Sequence, residues 1–344
     1  MNSLVVKATN QPYLTHIPIL AKEITSIFAP KDGQKFIDMT FGSGGHSKYL
    51  LSRNKNITIY ALDRDPIAYR KAVDLSTKMN GCIVPLLGKF SDLPMLLQNV
   101  GVKKGSINGV ILDLGPSSMQ YDDPSRGFSI SSEGPLDMRM DGNRNPNIPT
   151  ADDVINTLDS NSLAKIFKIY GEEKLAKKFA NAIVDSRFML KRIKTTQELS
   201  QLLASVAGQH SVDSIGRFSH AATKVFLALR IFVNNELNEL NYALTKIREY
   251  LVLDDSVNFK NSDNEDELKK YNSGKIAVIS FHSLEDRIVK RHLKGINIDE
   301  PIAQTISQKV NNSFNTPTQE EIETMLEKKW KKRCFQIQEA DLQN

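Results

Sequence analysis

The sequence predicts an α/β fold: a doubly wound parallel sheet interrupted by an inserted helical subdomain. Two observations lead there. Four short apolar runs, at 35–40, 57–63, 109–114 and 275–281, stop at Asp or at turn residues. Runs of this kind with helical stretches between them suit strands buried on both faces of a parallel sheet. The third and fourth runs are also too far apart for one crossover, so a substantial element fills the gap.

The elements follow in order. The run KFIDMT (35–40) stops at a glycine cluster, and a helical stretch, 46–53, comes next. The β-branched and aromatic run ITIYALD (57–63) ends in Asp63 and leads into a helix over 66–79. The run GVILDL (109–114) ends near Asp113. Residues 116–142 are rich in Pro, Gly, Ser and Asp and read as a long structured loop. Helical stretches then fill 151–158, 163–170, 172–187 and 196–206, the last opening at Thr195 or Thr196 ahead of Glu198. Apolar steps of three and four from Val225 to Leu251 make one continuous face, so 221–251 reads as one long helix. The organisation is a core of 16–115 and 216–295, an insertion of 116–215, a polar acidic loop at 254–274 expected to be flexible, and a basic tail at 296–344 around Trp330.

Composition narrows the function classes. At 40% hydrophobic and 25% charged residues, the 344-residue chain is globular rather than disordered. It holds no apolar run of membrane-spanning length. Two cysteines exclude a disulfide scaffold and a cysteine-based zinc site, and no metal is expected. The net charge of +5 permits a nucleic-acid partner without demanding one. The first 22 residues carry Lys7 and Lys22 and no acid, as a presequence would, but they also lack Arg.

The candidate cofactor site is the turn from Asp38 through Gly42, Gly44 and Gly45 to His46, with Asp63 placed 21 residues beyond Gly42. Glycines after a first strand let a ligand press on backbone, and an acidic residue after the second can accept ribose hydroxyls. Both NAD and S-adenosylmethionine fit this much. Ser47 stands where a dinucleotide fingerprint needs its third glycine, so the spacing favours the methyl donor. A glycine turn without a ligand stays open. Asp113, at the end of the third run, would face the same switch point, or would simply cap the next turn.

Nine blocks now carry a resemblance: HIPIL (16–20), DMTFGSGGHS (38–47), LDRDP (62–66), ILDLGPSSMQ (111–120), RGFS (126–129), GPLDMRMDG (134–142), YGEEKLAKKFA (170–180), HAATKVFLALRIFVNNELNEL (220–240) and SFHSLEDRIVKR (280–291). In this order they resemble the MraW/RsmH family of small-subunit rRNA cytidine N4-methyltransferases, and within it the animal mitochondrial branch. The resemblance implies a Rossmann-like class I methyltransferase core. It implies S-adenosylmethionine bound by Gly44, Gly45, His46, Asp63, Phe90, Asp113 and Gln120, with Phe90 near the adenine. The implied partner is small-subunit rRNA or an assembling small subunit, and the implied place is the mitochondrial matrix, with the cytoplasm as the alternative. A homodimer is compatible with the sequence. The chain departs from the family pattern at Pro116, where Val is usual, at Lys224, where Arg is usual, and in a tail without the Arg/Ser-rich motif.

Asp113 is the candidate to orient the cytosine amine or the donor. The segment Asp113-Leu114-Gly115-Pro116 lacks the aromatic that many amino-methyltransferases carry there. His282 and Ser283, after the fourth run, are candidates to bind the cytidine, with Glu285–Arg287 as an internal ion pair. Arg139 and Asp137 are further candidates. Lys174, Lys177, Lys178, Arg187, Lys191, Arg192, Lys194 and Lys224 could meet phosphates or form an ordinary solvated face. The competing functions are a methyltransferase for protein or small molecules, a non-catalytic assembly factor and a nicotinamide oxidoreductase.

Overall fold

The computed structural model describes residues 18–189, 192–207, 210–212, 218–252, 274–293 and 334–338. All of the flexible loop expected at 254–274 except Gly274, and most of the basic tail, lie outside the described residues, as do Lys191 and the first 17 residues.

The first three apolar runs form parallel strands β1 (Lys35–Asp38), β2 (Thr58–Asp63) and β4 (Gly109–Asp113), with β3 (Ile83–Leu87) between β2 and β4 in the chain. A short antiparallel pair, β5 (His210–Val212) and β6 (Phe218–His220), stands apart, and β7 (Lys275–Ser280) and β8 (Cys334–Gln338) complete the main sheet. Its order is β3-β2-β1-β4-β7-β8, with every neighbouring pair parallel. The chain leaves β1 toward β2 and β3, then returns to β4 on the other side. The cleft outside the C-terminal ends of β1 and β4 is therefore the switch point where such sheets bind ligands.

Strand alternation sorts the core into two faces. Ile37, Leu62, Val110, Leu112, Ile276 and Val278 pack under α4 (Leu93–Asn99), α11 (Glu236–Ile247) and α12 (Ser283–Leu293). Phe36, Ile59, Ala61, Ile111, Ala277 and Ile279 pack under α1 (Ala21–Phe28), α2 (Gly45–Arg53) and α3 (Pro66–Lys78). Asp65 caps α3 by accepting from Ile67 N at 2.9 Å, and Pro66 opens the helix where its missing N–H is harmless.

The sequence reading passed over β3, because Pro85 in its centre withdraws a ladder donor. β3 pairs only with β2 at the sheet edge, where a proline is tolerated. β8, at the opposite edge, was also missed, in a tail of low apolar content.

After α5 (Ser118–Asp122) comes a second body of structure: α6 (Ala151–Thr157), α7 (Ser160–Tyr170), α8 (Ala176–Met189), α9 (Thr196–Ala207) and α10 (Thr223–Asn234). Their core joins Phe128, Leu163, Phe167, Phe179, Leu199, Leu203, Val225 and Leu229. Thr195 opens α9 as read: Glu198 N donates to Thr195 Oγ1 and Thr195 N to Glu198 Oε2, each at 3.1 Å. The helix expected from Glu172 begins instead at Ala176, after Glu172 takes a left-handed φ of 47°.

The single helix read over 221–251 is two. Asn235, at φ 53° and ψ 36°, separates α10 from α11. Asparagine adopts this left-handed conformation more readily than most residues. The apolar face of α10 belongs to the second core through Val233, whereas α11 covers the sheet. The insertion was expected to end at 215; its packing continues to the break at Asn235.

Candidate active site

A cavity of ≈ 410 Å³ opens at the C-terminal ends of β1, β2, β4 and β7. That volume suits a small-molecule ligand. Gly42, Gly45, His46, Asp63, Phe90, Asp113 and Gln120 all line it. Gly44 lies behind the turn: at φ 78°, a Cβ there would come within 2.6 Å of the Phe41 ring. Glycine is needed at that position for both reasons.

The floor is built from strand ends. Gly42 N donates to Asp63 Oδ2 at 2.7 Å, and Asp65 N donates to Asp63 Oδ1 at 2.9 Å. This ties the glycine turn to β2. Burial pushes the Asp63 carboxyl up to about 6. Thr40 Oγ1 accepts from Asp113 N at 2.7 Å, which links β1 to β4. Ser47 Oγ donates to the buried Asp38 carboxylate at 2.7 Å, and burial raises the carboxyl there too. The Ser in place of a third fingerprint glycine therefore anchors α2 to the end of β1.

Asp113 Oδ1, Ser117 Oγ and His46 Nε2 are buried at this cavity without a hydrogen-bond partner among the described residues. His46 Nε2 stands 3.4 Å from Asp113 Oδ2. Unpaired buried polar atoms are costly unless a ligand completes them. Asp63, Asp113, Glu236, Glu239 and Glu285 give the lining an acidic balance. A ligand carrying positive charge and hydroxyl donors fits such a lining; a pyrophosphate does not.

The family model described as the MraW methylase family matches residues 13–259 and 263–329. The chain belongs to the MraW methylase family. It is 45% identical over 312 residues to 12S rRNA N(4)-cytidine methyltransferase METTL15 of Mus musculus, covering 90% of this chain and 72% of that one. It is 40% identical over 278 residues to ribosomal RNA small subunit methyltransferase H of Parvibaculum lavamentivorans, covering 81% and 73%. It also matches, at 46% identity, only 19% of a Culex quinquefasciatus protein named putative receptor-type tyrosine-protein phosphatase mosPTP-1, so that protein's named activity does not carry over.

In this member of the MraW methylase family, several predicted site residues serve the scaffold around the cavity. Gln120 is 4% exposed and its amide is fully engaged. Its Oε1 accepts from Ser117 N at 3.0 Å, and its Nε2 donates to Asp65 Oδ2 at 2.9 Å and Met140 O at 3.4 Å. Arg126 donates to the same Asp65 oxygen at 2.7 Å and to the carbonyls of Arg139 and Met140. Arg139 is buried against Asp137 at 2.7 Å and does not line the cavity.

The strand-end motif after β7 differs from its reading. His282 and Ser283 do not line the cavity; Phe281 and Glu285 do. Ser283 Oγ donates to Glu172 Oε2 at 2.9 Å on the surface. The Glu285–Arg287 pair is not formed. Glu285 accepts from Phe281 N at 2.9 Å and lies 3.1 Å from His282 Nε2, while Arg287 reaches Glu172 at 3.4 Å. One turn of helix carries Glu285 inward and Arg287 out to solvent, which the spacing alone does not disclose.

Of the cations, Arg192 is paired with Asp152 and Asp153, and Arg187 donates to the carbonyls of Ile155 and Leu158. Lys178 donates to Val206 O, and Lys224 reaches Glu172 O at 3.4 Å. Lys174 and Lys177 are exposed. Glu239 was missed in the sequence. It lines the cavity from α11 and accepts from Ser91 N at 2.8 Å and Ser91 Oγ at 3.0 Å, fixing the turn that holds Phe90. No local signal marks a residue 148 positions from its partner.

Proposed function

We propose that the protein uses S-adenosylmethionine to methylate the N4 amine of a cytidine in mitochondrial small-subunit rRNA, and that it works in the matrix. The observation that carries this reading is the Asp113 carboxylate: it has an unpaired oxygen at the switch point of a chain in the MraW methylase family. The names of the mouse and Parvibaculum relatives supply the substrate class.

The cofactor residues divide by side of the sheet. Asp63 and Phe90, after β2 and β3, would hold the ribose and adenine, and Gly42, Gly45 and His46 would border the amino-acid end. When bound, S-adenosylmethionine supplies an electrophilic methyl group. The acidic lining suits its sulfonium and ammonium charges. The cytosine amine is a poor nucleophile because its lone pair is conjugated with the ring. The Asp113 carboxylate would accept one N4–H, hold the amine in line and let the nitrogen pyramidalise. The proton that leaves N4 after transfer can pass to this carboxylate or to water. Lys174 and Lys177 would face the phosphates of an unstacked strand.

Labelled S-adenosylmethionine with small-subunit rRNA fragments, followed by nucleoside analysis, tests the reading. N4-methylcytidine is expected. Label in C5, in protein, or nowhere in RNA would overturn it.

A further inference from the structure

Phe281 is a large aromatic side chain left 45% exposed, and it lines the cavity. The residues that would hold the cofactor and the cytosine amine leave it without a role. Three observations set it apart from an ordinary surface phenylalanine.

The first is register. β4 and β7 are parallel, and Asp113 is paired with Ile279. Two residues later Gly115 and Phe281 leave the sheet side by side. Gly115, at φ 97°, has no side chain, and a Cβ built on it would touch nothing closer than Arg230 Nη1 at 3.9 Å. The strand bearing Asp113 thus offers open space where its neighbour offers a ring.

The second is fixation. Phe281 N donates to Glu285 Oε2 at 2.9 Å, and Glu285 is itself 3% exposed and set against His282. The backbone under the ring is clamped by a buried carboxylate, so the ring is presented from a rigid base. This also gives His282, which does not itself line the cavity, a purpose behind Glu285.

The third is side. Phe90 and Asp63 lie after β3 and β2, on the far side of β1 from Phe281. A ring after β7 is therefore on the acceptor half of the cleft, beyond Asp113, and is not a second adenine contact.

We propose that Phe281 is the platform on which the flipped target cytosine stacks, with Asp113 holding its N4 amine from the neighbouring strand. Bases taken out of a helix are held between aromatic or apolar side chains. The ring would replace from β7 the aromatic that the segment after Asp113 lacks. The assignment rests on the cytidine reading above.

Phe281→Ala should lower kcat/KM for the RNA fragment by roughly 10- to 100-fold, while S-adenosylmethionine affinity by calorimetry stays within about twofold. Phe281→Tyr should recover most of the turnover. Phe281→Trp in a Trp330→Phe background should show fluorescence quenching when cytidine RNA is added and little change with S-adenosylmethionine alone. The stacking role is overturned if Phe281→Ala turns over RNA normally, if its loss falls on cofactor affinity instead, or if the tryptophan reports no RNA. Wild-type protein that methylates RNA beside a fully active Phe281→Ala removes only the stacking role. Wild-type protein that transfers no methyl to RNA removes the cytidine reading, and the stacking role with it.

Discussion

At the scale of single residues, two carboxylates at strand ends have different tasks because their surroundings differ. Asp113 keeps an oxygen free in a buried place, so its value lies in what a substrate adds. Asp113→Asn should leave the fold intact and reduce turnover by roughly 10²- to 10⁴-fold, as read by label transfer. Asp63 has both oxygens accepting from backbone N–H groups, and burial still lifts it to about 6 from the ordinary carboxylate value of 3.8. The folded protein thus holds this proton more tightly than the unfolded chain. The resulting stability is fully present below 3.8 and is lost as pH rises through 6. A ribose needs the ionised acceptor, so S-adenosylmethionine affinity should fall about tenfold per pH unit below that point. Calorimetric titration across the range checks this, and Asp63→Asn should show weak binding with no inflection. Both residues were legible in the sequence, since each ends an apolar run. The engagement of Gln120, the inward turn of Glu285 and the grip of Glu239 on Ser91 were not. They depend on contacts between residues far apart in the chain or on helix phase.

At the scale of elements, hydrophobic pattern identified the strands flanking the switch point and most helices. It failed where one conformational event outweighs the pattern. Asn235 breaks the long helix although the apolar steps continue, because each half faces a different core. Asn235→Gly should be tolerated, whereas Asn235→Val should lose about 1–2 kcal/mol by forcing a β-branched residue into the left-handed region. The neighbouring Asn234 side chain donates to Met138 O and accepts from Met140 N, both at 2.7 Å. Asn234→Ala should therefore cost about 2–4 kcal/mol, since it leaves buried backbone groups unpaired. Urea unfolding of the three variants measures these differences. β3 escaped notice for the opposite reason: its proline reads as a breaker, and only a position at the sheet edge makes it harmless.

At the scale of the whole molecule, the two cores are stitched together beside the cavity. Arg64 pairs with Asp141 and donates to Asn234 O at 2.8 Å. Arg126 joins Asp65, at the start of α3, to the carbonyls of residues 139 and 140. Arg126→Ala would leave the 1% exposed Asp65 carboxylate with hydrogen bonds from Gln120 and Ile67 N but without its cation, and should destabilise the protein by about 3–5 kcal/mol. Arg126→Lys should rescue little, since one ammonium cannot replace a planar fork serving three oxygens. Denaturant unfolding with and without S-adenosylmethionine would separate this loss from any change in binding.

The sequence alone determined the α/β class, the glycine turn with its paired acidic residues and, through ordered motifs, the family. These are local patterns: apolar runs, turn residues and short spacings. Only the tertiary structure decided which side chains meet in the cavity. It spent Arg139, Arg187 and Arg192 on internal partners, withdrew His282 and Ser283 from the wall, and brought Phe281 and Glu239 to it. A polar side chain is free for a ligand only when folding leaves it an unfilled donor or acceptor facing the cavity, and that depends on residues distant in the chain.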